Sequence, residues 1–139
     1  MAFETADGWH AIALNGRSGA GKSELALELM ASGARLVADD QTRIIRDGAL
    51  LLADAPAPIR GMIEMRGMGL IRAAPLSMVR LSLMVNLDVT ETARLPEYHQ
   101  TSVLGVDVPT LYKVGSRAFP AALRQYVLTQ SWLDRDEPG

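Results

Sequence analysis

Apolar residues in the first third of the chain fall into short runs set apart by turn signals, and their spacing changes from run to run. Trp9-His10-Ala11-Ile12-Ala13-Leu14 is nearly unbroken and ends at Asn15-Gly16, which predicts a buried strand feeding a turn. Over 22–30, Leu25 with Leu29 and Ala26 with Met30 repeat at helical spacing. Glu24 sits in the first turn and Gly33 is placed to close the far end, so a helix follows. Leu36-Val37-Ala38 predicts a second apolar strand that stops at Asp39-Asp40. Arg46-Asp47-Gly48-Ala49 is a turn signal between 42–45 and 50–52, predicting a β-hairpin.

Further along, Pro56 and Pro58 mark an irregular stretch, and Gly61, Gly67 and Gly69 punctuate 62–68, giving a loop too glycine-rich for a stable helix. The clearest strand is 79–88, where apolar residues alternate with mostly polar ones at period two, predicting one buried face and one partly wet face. Arg94-Leu95-Pro96 opens a polar connection, and 103–108 predicts a strand broken at Pro109. Pro120 starts a final helix with Leu123, Tyr126, Val127 and Gln130 on one face, and the tail 134–139 is expected to fray.

At 139 residues with 48% hydrophobic content, the chain has the size and composition of one compact domain, 1–139, with one core. Fourteen basic residues against 16 acidic ones leave a formal charge of -2, so no global field argues for nucleic acid or an anionic membrane. There are no cysteines, which excludes a disulfide framework and fits a cytoplasmic protein. No apolar run approaches the ~20 residues a membrane span needs, and no leader pattern opens the chain.

Chemistry enters at Gly16-Arg17-Ser18-Gly19-Ala20-Gly21-Lys22-Ser23, which fits G-x-x-x-x-G-K-[ST] at every fixed position between a predicted strand and a predicted helix. In such a P-loop the backbone N–H groups turn toward phosphate oxygens, Lys22 reaches the β and γ phosphates and Ser23 ligates Mg²⁺. ATP with Mg²⁺ is therefore the expected ligand.

Asp39-Asp40, at the predicted end of the second strand, stands where open α/β sheets present their ligands. Successive strand residues point to opposite sides, so one carboxylate serves the nucleophile and the other the metal or a supporting role. Glu64 and Arg66 lie among apolar residues and glycines: Glu64 is placed to complete the Mg²⁺ shell with Ser23, and Arg66 to offset charge on a transferring phosphoryl group.

Together, the P-loop with Glu24, Val37-Ala38-Asp39-Asp40, Glu64-Met65-Arg66-Gly67-Met68-Gly69-Leu70-Ile71, Arg94-Leu95 and Lys113-Val114-Gly115 resemble, in order and approximate spacing, the catalytic domain of HPr kinase/phosphorylase. The resemblance implies an α/β fold of P-loop kinase type. It would have a mixed central sheet, the P-loop between the first strand and first helix, and a C-terminal helix. It implies a bifunctional enzyme that phosphorylates a serine of the phosphocarrier protein HPr with ATP and removes that phosphate with inorganic phosphate, releasing pyrophosphate. By the same resemblance Ser23 and Glu64 hold Mg²⁺, Lys22 binds phosphate, and Asp40 exchanges the serine proton with Asp39 assisting. Arg94 contacts phosphate, Arg66 and the 63–72 segment serve both directions, and Lys113 matters mainly for dephosphorylation. The implied assembly is a hexamer, with which the seven methionines are compatible.

Two departures from the family pattern stand out. The length is expected to correspond to compact members consisting of the kinase core, without the N-terminal domain many relatives carry. The family's histidine ahead of the P-loop strand is not matched, because the nearest, His10, falls inside that strand. His10 is expected to be packed or on an edge strand and His99 exposed. Rival readings are a small-metabolite kinase and a nucleotide-binding regulatory module without catalysis. A guanine-nucleotide switch is disfavoured, since no Asn-Lys-x-Asp motif occurs and Asn86-Leu87-Asp88 does not replace it.

Overall fold

The computed structural model describes residues 1–129. A first hairpin, β1 (Ala2–Thr5) and β2 (Gly8–Asn15), leads through the 16–21 loop into α1 (Lys22–Ala31). A second hairpin, β3 (Arg43–Asp47) and β4 (Leu50–Asp54), is followed by a third, β5 (Met62–Met65) and β6 (Gly69–Arg72). The long strand β7 (Val79–Thr90), a fourth hairpin β8 (His99–Val103) and β9 (Val106–Lys113), and α2 (Phe119–Leu128) complete the order.

Seven strands form one mixed sheet in which β2, β7 and β9 are mutually parallel, so their carboxyl ends lie at one end of the sheet. β7 is central: β2 flanks one side, while β4 and β9 share the other. β5 and β6 form a separate two-stranded ribbon. The main core lies between the sheet and the two helices, where Ile12, Leu83 and Val85 meet Leu29, Leu123 and Val127. Each fully buried side chain of this size contributes about 1.5–3 kcal/mol of transfer free energy. Pro120 enters α2 in its first turn, where a missing N–H costs nothing, and Leu123 and Val127 are buried as the spacing requires. Gln130 and the 134–139 tail lie outside the described residues. Among the described residues no helix is long and apolar enough to cross a membrane.

The sheet corrects four expectations. The segment 36–38 is no strand. The β2 edge it would join is taken by β1, with Met1 and Ile12 exchanging two main-chain bonds of 2.7 and 3.2 Å; the chain just before the segment meets β1 at an isolated Ala2–Arg35 bridge, and Leu36 O accepts the N–H of Leu76 at 2.8 Å. The 62–68 loop is instead the β5–β6 hairpin turning at Arg66-Gly67-Met68. Pro109 does not break a strand but lies within β9. The ladder with β7 begins only at Thr110, so on that side a proline forfeits no bond.

The period-two strand is buried on both faces from Leu81 to Val85 rather than on one. The register with β2 jumps from Ala11↔Leu81 to Ile12↔Leu83, making Ser82 a bulge. Leu81 then packs with Met84 and Val108 on the face away from the helices, whereas Leu83, Val85 and Leu87 join the helix-side core. Ser82 Oγ is buried and shares a hydrogen bond with His10 Nδ1, while His10 Nε2 meets Asp7 Oδ1 at 2.8 Å. His10 is thus packed on an internal strand. Asp7 is held down to about 2 by the Thr5 hydroxyl and by His10, and stays ionised beneath the ring.

Candidate active site

The P-loop stands between β2 and α1, with a hairpin strand ahead of it that the sequence pattern did not signal. Gly21 is the N-cap of α1 and takes φ +98°, a left-handed conformation that costs L side chains energy, and Ala20 N–H turns back to Arg17 O at 3.0 Å. Lys22 and Ser23 are the first two residues of the helix. Their side chains therefore start where the unbonded N–H groups of the first turn and the helix dipole favour an anion.

A cleft of about 710 Å³ opens there. Ala13 and Leu14 line it where the main-chain bonding of this β2 edge has ended: the last bonds join Met1 to Ile12, and among the described residues no ladder partner follows on that side. Ser18, Gly19, Gly21, Lys22 and Ser23 line it together with Asp39, Asp40, Glu64 and Arg66. Lys22 and Ser23 thus share one cavity with Glu64, which lies more than 40 positions further along the chain.

Asp39 and Asp40 do not end a strand. Gln41 N–H donates to Asp39 O at 2.6 Å and Asp40 takes φ +62°, which Asp tolerates better than most residues. This turn gives the two carboxylates different surroundings. Asp39 Oδ2 accepts the backbone N–H of Glu64 at 2.8 Å. The side chains of Asp40, Lys22, Ser23, Glu64 and Arg66 make no hydrogen bond or ion pair among the described residues, and all five border the cleft.

Gly16, Arg17 and Ala20 of the P-loop, with Arg94 and Lys113, do not line the cleft. Arg94 lies exposed in the connection after β7, and Lys113 is the exposed last residue of β9. Both stand at the sheet end that carries the P-loop, because β2, β7 and β9 are parallel.

Glu91, which the sequence reading missed, joins them. Its N–H donates to Lys113 O at 2.8 Å, and its Oε2 accepts the N–H groups of Thr92 and Ala93 at 3.0 and 3.1 Å. Those bonds, that of Ala93 first, hold the Glu91 carboxyl below its ordinary range. His99 Nε2 meets Glu91 Oε1 at 3.3 Å and its ring stacks on Tyr112 at 4.1 Å, so His99 is half-buried rather than exposed. The available signal was an acid one residue past a long strand.

Oxygen donors suit the expected metal. Mg²⁺ takes one or two protein oxygens, keeps several waters and shares phosphate oxygens, and the Ser23 hydroxyl and Glu64 carboxylate bordering one cleft supply such a set.

The HPr Serine kinase C-terminal domain family matches residues 10–112. HPr kinase/phosphorylase of Aromatoleum aromaticum is 33% identical, over 91% of this chain and 49% of that protein. That of Exiguobacterium sp. is 36% identical over 72% of this chain and 36% of that protein, and that of Bacillus subtilis 36% identical over 72% and 33%. The chain thus spans half or less of the length of these curated relatives. The HPr(Ser) kinase/phosphatase structure from Coxiella burnetii superposes with a TM-score of 0.73, covering 96% of this chain and 94% of that one at 20% identity, which establishes the shared fold. On a family match extending from inside β2 to the penultimate residue of β9, the chain belongs to the HPr serine kinase C-terminal domain family.

Proposed function

We propose that this chain transfers the γ-phosphoryl group of ATP, with Mg²⁺, to a serine of HPr, and runs the reverse phosphorolysis with inorganic phosphate to give pyrophosphate. The observation that carries the reading is the set of unpartnered side chains, Lys22, Ser23, Asp40, Glu64 and Arg66, bordering one cleft at the P-loop. A cation pair and hard oxygen donors around a phosphate cradle are the needs of phosphoryl transfer, where catalysis is positioning and charge stabilisation.

Lys22 neutralises the β and γ phosphates from the helix start, and Arg66 faces it from the β5–β6 turn. Asp40 accepts the serine proton as the hydroxyl attacks and returns it when the oxygen leaves in reverse. Asp39 assists by fixing the turn on which Asp40 sits, through its bond to Glu64 N–H. Ser23 and Glu64 hold Mg²⁺, which when bound lowers the charge of the phosphates. Arg94 and Lys113, at the rim and outside the cleft, meet the phosphate on the acceptor side, Lys113 mainly for dephosphorylation. The chain acts as one domain in the cytoplasm, where ATP is supplied, and assembles as a hexamer.

The test is phosphotransfer from labelled ATP to purified HPr, run beside a panel of small alcohols, with mapping of the modified residue. Label on an HPr serine is expected. Label on a small alcohol alone would make the chain a metabolite kinase.

A further inference from the structure

We propose that Asp88, at the end of β7, is a positioning residue of the nucleotide site: its carboxylate clamps the entrance of the P-loop through the backbone N–H of Arg17. The proposal rests on the phosphoryl-transfer reading above. Asn15 pairs with Asn86, which brings the last residue of β2 beside the carboxyl end of β7. Two residues on, Arg17 N–H donates to both Asp88 oxygens, at 3.1 and 3.2 Å. The Asp88 backbone is itself held, its N–H donating to Asn86 Oδ1 at 3.0 Å.

Close packing supports the clamp. A side chain at Gly16 would bring its Cβ to 3.0 Å from Ala20 Cβ, 3.3 Å from Leu87 Cβ and 3.5 Å from Asp88 Oδ1, so only glycine lets the loop approach β7 this closely. The Arg17 guanidinium also reaches Asp88, Nε to Oδ1 at 3.4 Å, but with 84% of the Arg17 side chain exposed that ion pair is screened and weak. The charge-assisted bond to the N–H is the stronger link.

Two consequences follow. The Arg17 N–H points at protein rather than at the phosphate cradle, leaving the later N–H groups of the loop and the first turn of α1 for phosphate. Because the bond joins two parts of the protein itself and needs no atom of the nucleotide, it shapes the loop independently of ATP, and binding loses less entropy than for a loop that must first be ordered. Asp88 does not line the cleft, which separates this role from that of a metal ligand.

The test compares wild type with Asp88→Ala and Asp88→Asn by three measurements: backbone hydrogen exchange of the 15–24 segment without nucleotide, ATP titration, and Mg²⁺ titration of transfer. Loss of one hydrogen bond to a charged group corresponds to about a 10-fold to 100-fold weaker ATP affinity. Asp88→Ala is expected to raise loop exchange and weaken ATP by that factor, with the Mg²⁺ midpoint unchanged. Asp88→Asn, which keeps one acceptor oxygen, should recover most of both. Lowered melting temperature with wild-type loop exchange and ATP affinity would reduce Asp88 to a fold-stabilising residue and overturn the proposal. A shifted Mg²⁺ midpoint in Asp88→Asn would overturn it in favour of metal ligation. Wild-type protein that binds no ATP would overturn the phosphoryl-transfer reading, and the proposal with it.

Discussion

Asp39 accepts the backbone N–H of Glu64 at 2.8 Å, joining the turn that carries Asp40 to the hairpin that carries Glu64 and Arg66. Two segments 25 residues apart, both lining the cleft, are therefore tied to each other. Asp39→Ala should leave Glu64 free to wander and weaken the Mg²⁺ response by about 10-fold to 100-fold, the range for loss of a supporting partner at a metal site. Asp39→Asn, which retains an acceptor oxygen, should lose less. Equal Mg²⁺ titration curves for wild type and Asp39→Ala would remove Asp39 from the site.

Asp40 occupies the same turn with its carboxylate unpartnered among the described residues, which suits a group that must meet a substrate hydroxyl. Asp40→Asn preserves shape but cannot exchange a proton, so it should slow both HPr phosphorylation and pyrophosphate release by about 10²-fold to 10⁴-fold, with nucleotide binding intact. A variant impaired in one direction only would contradict a single acid/base group.

Lys22 begins α1 at the cleft, and its side chain makes no hydrogen bond or ion pair among the described residues. Lys22→Ala should abolish tight ATP binding while the melting temperature stays within a few degrees of wild type, since substitutions away from packed or bonded groups cost about 0.5 kcal/mol or less. Calorimetric titration and thermal melting of the same sample check both halves.

Asp54 supplies one pH-dependent contribution to stability. Arg60 donates to its two oxygens at 2.8 and 3.1 Å, and those bonds hold the Asp54 carboxyl below its ordinary 3.8. A depressed folded-state value stabilises above the unfolded-state value and is lost as pH falls through the folded one. Asp54→Asn should therefore destabilise by about 1–3 kcal/mol near neutrality. The difference should shrink as the pH of a denaturation series drops below 3.8. A pH-independent difference would assign the loss to packing.

The P-loop motif and the helix after it were legible because each rests on local spacing or on a motif with fixed positions. The strand at 36–38 misled because apolar content reports burial, and Leu36 and Val37 are buried without a ladder. What decides pairing is which segment reaches the β2 edge, and β1 occupies it with Ala2 and Phe3, residues whose short run carries no period. The β7 alternation hid a bulge, since one inserted residue at Ser82 moves the residues beyond it to opposite faces without changing composition. Glu91 and Asp88 act on backbone groups far away in sequence, and such partners leave no spacing signal.

The central claim is that this chain places phosphate from ATP on a serine of HPr through the Asp40 turn. Its most direct measurement is intact-mass analysis of HPr, followed by peptide mapping, after incubation with ATP, Mg²⁺ and either wild type or Asp40→Asn. The account predicts one phosphate on one HPr serine with wild type and almost none with the variant over the same interval. HPr left unmodified by a folded, ATP-binding wild type would contradict it, as would equal modification by both proteins.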